Sequence, residues 1–248
     1  MAERPAPEWP QGCLRVVLDA VDSTNAEALR RLPGLAAPCW IMARSQNAGR
    51  GRRGRGWVDP PGNFAATLAL PLSEPPARMA LRSFLAALAL HDALMAATGL
   101  AQGFALKWPN DVLLNGGKLS GILLESGTGG LVVGIGVNLR GAPPGEAGAA
   151  FPPVSLRGET GLALPAERLL DHLAAACAQW EARFRTYGFT PVRQAFLDRV
   201  ERLGSVIVAR TMTETLEGRF TGIDDSGALV LDTAEGRRII PAADVYFP

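Results

Sequence analysis

Three short segments concentrate the residues able to do chemistry. Residues Gly49 to Gly56 read Gly-Arg-Gly-Arg-Arg-Gly-Arg-Gly, four glycines among four arginines. Glycines let backbone N–H groups approach an anion closely, and arginines add forked, permanently charged donors. Such a loop suits a carboxylate and a phosphate brought together. A solvated turn and an Arg/Gly nucleic-acid tether are the alternatives, and the tether fits poorly with a loop set between two apolar strands. Lys107-Trp108-Pro109-Asn110-Asp111 puts a cation, an amide and a carboxylate at a strand end. An asparagine can read an adenine edge, and an aspartate can hold the magnesium that travels with ATP; a plain turn with solvated charges is the alternative. Lys118 follows a Gly-Gly turn and precedes an apolar strand. It is either an edge-strand charge or a cation aimed at an acyl-phosphate. No nucleophilic triad accompanies these segments, so the chemistry they suggest is positioning and electrostatic stabilisation around a nucleotide.

The elements that must hold these segments follow from periodicity and turn signals. Leu14 to Val21 reads as a first strand, and Thr24 and Glu27 have the spacing of a capping box for a helix ending near Leu32 before Pro33-Gly34. Cys39 to Arg44 and Phe64 to Leu70 read as strands on either side of the Arg/Gly loop. Arg78 to Thr98 is a long Ala/Leu-rich helix stopped by Gly99. Phe104 to Trp108, Val112 to Leu114, Ser120 to Glu125 and Leu131 to Leu139 read as four strands, with Asn115-Gly116-Gly117 as a hairpin turn. Ala142 to Pro153 is a Pro/Gly/Ala loop, and helices follow over Pro165 to Thr186 and Pro191 to Val200. Beyond Gly204 the chain alternates in short strands, Val206 to Arg210, Glu214 to Asp224, Ala228 to Asp232 and Arg237 to Pro241, as in a small all-β module. The expected fold class is α+β: a mixed β-sheet with flanking helices, then a small C-terminal barrel. The boundaries are a tail over 1–13, a main domain over 14–200 and a small domain over 201–248.

Composition narrows the function. The chain has 248 residues with a net charge of +1, so no global field draws it to nucleic acid or anionic membrane. Its three cysteines, Cys13, Cys39 and Cys177, are odd in number and widely spaced, which disfavours a zinc site or disulfide framework and fits a reducing, cytoplasmic setting. Met1 to Gln11 lacks the apolar core of a signal peptide. The apolar stretch Phe84 to Ala97 is interrupted by His91 and Asp92 and reads as too short and too polar to span a bilayer. His91 and His172 fall in helices without a metal-spaced partner and read as structural or surface residues.

Five ordered motifs resemble the biotin protein ligases: Asp22-Ser23-Thr24-Asn25; Gln46 with Gly49 to Arg55 and Trp57; Lys107 to Asp111; Lys118 to Leu123; and Gly134-Ile135-Gly136-Val137-Asn138. The resemblance covers about Leu14 to Pro248. It implies a sheet-and-helix domain like that of class II aminoacyl-tRNA synthetases and biotin ligases, with a barrel like that of Src-homology domains. It also implies adenylation of biotin by MgATP, then transfer of biotin to a lysine of a biotin carboxyl carrier protein. By the same resemblance Ser23, Thr24 and Gln46 contact the ureido head of biotin, and Asn25 belongs to the biotin site. Arg50, Gly51 and Arg52 wrap its valerate and the phosphate, and Gly121 and Gly136 admit the ligand to the backbone. Arg53, Arg55, Trp57, Asn110 and Asn138 serve the adenylate. Lys118, Arg52 and Lys107 offset the developing negative charge, and Asp111 is the candidate magnesium ligand. The partners implied are ATP, biotin and the carrier protein, without DNA or membrane. A homodimer is compatible with the pattern.

The sequence departs from many relatives in having only about 13 residues before the first strand, with no room for a helix-turn-helix. Ile240 to Val245 is also less glycine-rich than is usual for the family. Lipoate ligases and octanoyl transferases are the nearest rivals, and no cysteine near Lys118 supports the transferase. A nucleic-acid binder and a catalytically silent biotin-binding module are rivals of other classes.

Overall fold

The computed structural model describes residues 6–51, 54, 56–57, 60–145 and 151–246. Its central sheet is built from β1 (Leu14–Leu18), β2 (Cys39–Ala43), β3 (Phe64–Pro71), β7 (Ser120–Gly127) and β8 (Gly130–Val137), in the order β1-β2-β3-β8-β7. β1 and β2 are parallel and the other pairs antiparallel, so the sheet is mixed as the sequence indicates. A short second sheet joins β4 (Phe104–Lys107), β5 (Asp111–Leu114) and β6 (Gly117–Lys118).

Because side chains alternate along a strand, register sorts the central sheet into two faces. One face carries Trp40, Met42, Phe64, Ala66, Leu70, Ile122, Val133 and Ile135 into the main core, which includes α3 (Arg82–Thr98) and α5 (Ala166–Tyr187). The other face carries Cys39, Ile41, Ala69 and Val132, which pack with Ala28 and Leu32 of the segment containing α1 (Thr24–Arg31). Further along that second face the side chains shrink. Gly121 pairs with Gly136 and Leu123 with Gly134, while Ala65 and Thr67 lie beside those two glycines. The sheet is therefore hollow next to the N-terminus of α1.

Several sequence expectations shift. The helix cap is Ser23, whose Oγ accepts from Ala26 N–H at 3.4 Å, and Glu27 pairs with Arg30 and Arg31 instead of closing a box with Thr24. The long helix breaks at Leu81 into α2 (Pro76–Ala80) and α3. By length and composition alone Pro76–Thr98 could cross a membrane, but most of it is buried inside the protein. It is a core helix. Gly99 ends α3 in the left-handed region, and Asn115-Gly116 forms the expected tight turn at φ 49° and 79°.

α4 (Leu156–Thr160) was not expected; α6 (Thr190–Leu197) follows α5. The C-terminal module contains β9 (Val206–Arg210), β10 (Thr215–Ile223), β11 (Leu229–Thr233), β12 (Gly236–Ile240) and an unforeseen β13 (Asp244–Tyr246), ordered β12-β11-β10-β9-β13. The small barrel-like module is an antiparallel sheet in which, among the described residues, β12 and β13 are not paired with each other. Pro241, directly after β12, has no N–H to extend the ladder. The sheet must nevertheless curl: its outer strands would lie ~19 Å apart if flat, whereas the chain from Ile240 to Asp244 reaches at most ~14 Å. The module docks on the main domain through Trp108 Nε1, which donates to Gly227 O at 3.0 Å.

Candidate active site

The hollow face of the sheet opens into a cavity of about 210 Å³, lined by residues from all five motifs. One wall begins at Asp22. Arg30 reaches its carboxylate at 2.8 and 2.9 Å; these bonds, with the Ser23 N–H, hold it well below the usual carboxylate range. That clamp fixes the turn presenting Ser23, Thr24 and Asn25. Thr24 N–H donates to Gln46 Oε1 at 2.8 Å, with the Thr24 hydroxyl 3.1 Å from the same oxygen. All four residues line the cavity.

Asn25 proves to be committed. Its Oδ1 accepts from the Thr67 hydroxyl at 2.7 Å, and its Nδ2 donates to Glu125 Oε2 at 2.8 Å and to Leu123 O at 3.3 Å. It shapes the wall while its polar atoms face protein partners. Its seat depends on Gly134, where a Cβ would lie 2.0 Å from Asn25 Oδ1.

The base of the Arg/Gly loop is paired across Gly49–Arg50 and Gly56–Trp57. Trp57 N–H donates to Gly49 O at 2.9 Å, and Arg50 bridges Gly56. Arg50, Gly51 and Gly56 line the cavity, and Arg50 Nη2 lies 3.2 Å from Glu125 Oε2. Arg52, Arg53 and Arg55 lie outside the described residues. The Trp57 ring fills the space above Gly121 and Gly136, where Cβ atoms would come within 2.9 and 2.5 Å of it. Those glycines thus admit the indole to the sheet. Trp57 Nε1 is buried with no partner.

Lys118 and Asp111 also line the cavity. Lys118 Nζ lies 2.9 Å from Asp111 Oδ2. Its backbone is pinned by N–H donation to Pro152 O at 2.8 Å and acceptance from Val154 N–H at 3.0 Å. Lys107 stands behind Asp111 at 3.9 Å, over the Phe151 ring, and does not line the cavity. Asn110 donates to Ile122 O at 3.0 Å and leaves its buried Oδ1 without a partner. Asn138 is turned into the protein: Nδ2 donates to Val154 O at 3.0 Å, and Oδ1 faces Asn63 Nδ2 at 3.4 Å. The structure therefore brings together Ser23, Thr24, Asn25, Gln46, Arg50, Gly51, Trp57, Asp111, Lys118, Gly121 and Gly136, and leaves Lys107, Asn110 and Asn138 behind the lining.

Sequence reasoning missed Thr67, Glu125 and Asp244, and named Gly134 as part of the fifth motif without a role. Thr67 is the one hydroxyl in an apolar strand and is fully buried, a signal available in the sequence. Asp244 reaches the cavity from β13 in the C-terminal module, and nothing local announces it.

Comparison with known proteins bears on this site. A model of the biotin/lipoate A/B protein ligase family matches residues 17–141, and one of the biotin protein ligase C-terminal domain matches residues 203–247. A biotin–[acetyl-CoA-carboxylase] ligase of Paracoccus denitrificans is 57% identical over 240 residues, spanning 93% of this chain and 99% of the relative. The chain belongs to the biotin protein ligase family. The bifunctional ligase/repressor BirA of Escherichia coli, at 31% identity, covers 87% of this chain, which spans 68% of that relative. The biotin protein ligase of Aquifex aeolicus, solved in complex with biotin and ATP, superposes with a TM-score of 0.80 at 25% identity, covering 94% of this chain and 97% of that one.

Proposed function

We propose that this biotin protein ligase converts biotin and ATP to biotinyl-5'-AMP and pyrophosphate, then transfers biotin to a lysine of the biotin carboxyl carrier protein of a carboxylase. The observation that carries this reading is the joint lining of one cavity by neutral polar groups, Ser23, Thr24 and Gln46, and by the cations Arg50 and Lys118. Hydroxyls and an amide satisfy a neutral urea's donors and acceptors, and the two cations match a carboxylate and a phosphate.

In the first step a biotin carboxylate oxygen attacks the α-phosphorus of ATP, and the bond to pyrophosphate breaks. Lys118, held by Asp111, offsets charge on the phosphate oxygens without needing to reorganise. In the second step a lysine amine attacks the acyl carbon, the acyl–oxygen bond breaks, AMP departs and the amine gives up a proton. Arg50 and the loop arginine Arg52 hold the anionic end, and the Trp57 ring covers Gly121 and Gly136 beside it. Asn110 and Asn138 lie behind the lining and support the wall that faces the adenylate. Lys107 acts by sharing the charge of Asp111.

Asp111 does not fit a magnesium ligand. Its carboxylate lies between two lysines, and the described residues contain no metal-holding cluster of three or more His, Cys, Asp or Glu side chains. Magnesium accompanying ATP is therefore read as held by the phosphates and water. Residues 14–200 carry the chemistry, and the module over 201–248 lends Asp244. A reducing cytoplasm suits the three free thiols, and the net charge of +1 gives no basis for tight DNA binding.

The direct test mixes the protein with biotin, ATP and a biotin carboxyl carrier domain. The reading expects one biotinyl group on one acceptor lysine by intact-mass and peptide analysis, dependent on ATP. Biotin binding without ATP-dependent transfer would favour the silent module instead.

A further inference from the structure

Glu125 lies on the cavity face of β7, two residues beyond Leu123 and four beyond Gly121, both of which line the cavity. One oxygen of its carboxylate serves two walls. Oε2 accepts from Asn25 Nδ2 at 2.8 Å and lies 3.2 Å from Arg50 Nη2. On one side Asn25 is further held by Thr67 and by Leu123 O, so its amide is fixed at three points. On the other side Arg50 belongs to the base of the Arg/Gly loop, through its bridge to Gly56. A carboxylate beside a cavity that receives anions is electrostatically costly unless it does something there. Its two contacts say what: it joins the turn beneath the polar wall to the loop that carries Arg50.

We infer that Glu125 is a positioning residue that sets Asn25 and Arg50 together, so that the polar wall and the Arg/Gly loop are held as one unit around the ligand. The inference rests on the adenylation reading above. Glu125 touches neither reacting atom. It fixes the pocket through a hydrogen bond to Asn25 and fixes the loop through a charge pair with Arg50, and the two functions separate by chemistry. Glutamine keeps an oxygen for Asn25 but removes the charge that orients Arg50. Alanine removes both.

The half-exposed Arg50–Glu125 pair, with side chains 45% and 27% exposed, belongs to the class of weak ion pairs, so its loss should speed adenylate release by only about two- to fivefold. The more enclosed bond to Asn25 is charge-assisted, and its loss should weaken biotin binding by about ten- to a hundredfold.

The experiment measures biotin affinity by calorimetry and release of preformed biotinyl-adenylate by trapping, for wild type, E125Q, E125A, R50A and the E125Q/R50A double variant, with each fold checked by circular dichroism. The expected result has three parts. E125Q binds biotin within about twofold of wild type yet releases adenylate several-fold faster. E125A also loses biotin affinity. E125Q adds nothing once Arg50 is gone, because residues acting through one contact are non-additive. A structural role alone would make the E125Q and R50A effects add. That outcome, or wild-type affinity and release in E125A, overturns the assignment. Should E125A fail to fold, the E125Q/R50A cycle decides alone. A wild type that forms no adenylate overturns the functional reading, whereas a wild type that forms it beside variants that behave alike overturns only the role of Glu125.

Discussion

Gly134→Ala adds one carbon to the protein, and the structure states what that carbon meets. The new Cβ would stand 2.0 Å from Asn25 Oδ1, so Asn25 must retreat by about 1 Å to restore a tolerable 3.0 Å contact. It has little freedom to do so, since Thr67, Leu123 and Glu125 hold its amide. Moving it breaks at least one buried hydrogen bond, at ~1–3 kcal/mol, and overpacks a site with no slack, at ~1–3 kcal/mol. The expected loss is ~2–6 kcal/mol, against the ~0.4–1 kcal/mol gain that a permissive Gly→Ala change would bring through the unfolded chain. In urea, with m on the order of 2–3 kcal/mol/M, the midpoint should fall by about 1 M or more. Because Asn25 adjoins Thr24 at the polar wall, biotin affinity should fall with it. Gly222→Ala is the control, since its added carbon meets nothing within 4 Å. An unchanged midpoint and an unchanged biotin Kd in Gly134→Ala would refute the claim that Asn25 is clamped against this glycine.

Other outcomes follow from the same geometry. Lys118→Ala should retain the fold, because Lys107 still faces Asp111, and slow adenylate formation by about a hundred- to thousand-fold; single-turnover formation at the wild-type rate would remove Lys118 from the chemistry. Arg82→Ala should cost on the order of 3 kcal/mol, since this cation, 2% exposed, pairs with both Glu74 and Glu181; a denaturation midpoint equal to wild type would contradict it. Stability should also narrow at both ends of the pH scale. Arg82 depresses the Glu74 carboxyl and Arg31 and Arg30 depress that of Glu27; for Asp92, bonds from His91 and Trp180 with the charge of Arg199 outweigh burial. Their contributions are present above the ordinary carboxylate range and lost as pH falls through the depressed values. Burial lowers His172, so the unfolded chain takes up that proton first and acid costs stability from about pH 6.5 downward. Burial raises the Cys13 thiol from 9.0 to about 11, so its contribution is present below 9.0 and lost as pH rises toward 11. A midpoint flat from pH 4 to 10 would contradict these shifts.

Much of this was legible because it is local. Asn115-Gly116 could only turn, Gly99 could only cap, and the period-two runs Ser120 to Glu125 and Val206 to Arg210 became strands. The motif residues were legible as a set, since Ser23, Gln46, Arg50 and Lys118 meet at one cavity. What the sequence hid depends on register and on chain return. Whether Asn25 faces a ligand or Thr67 depends on which strand lies opposite, and β3 enters from 42 residues away. Asn138 reads as a ligand-facing amide until the 152–154 segment takes its Nδ2. Asp244 reaches the cavity because the three residues Pro241 to Ala243 carry the chain from β12 to the opposite edge of a curled sheet. Short alternating strands signal a barrel, but not whether its first and last edges pair.

The central claim is that one cavity activates biotin with ATP, and exchange of labelled pyrophosphate into ATP tests it most directly. Exchange requires reversible formation of an acyl-adenylate and needs no acceptor protein. The account predicts exchange that depends on added biotin, is not supported by lipoate or octanoate, and falls about a hundredfold or more in Lys118→Ala. Exchange independent of biotin, or none at all from a protein that binds biotin, would contradict it.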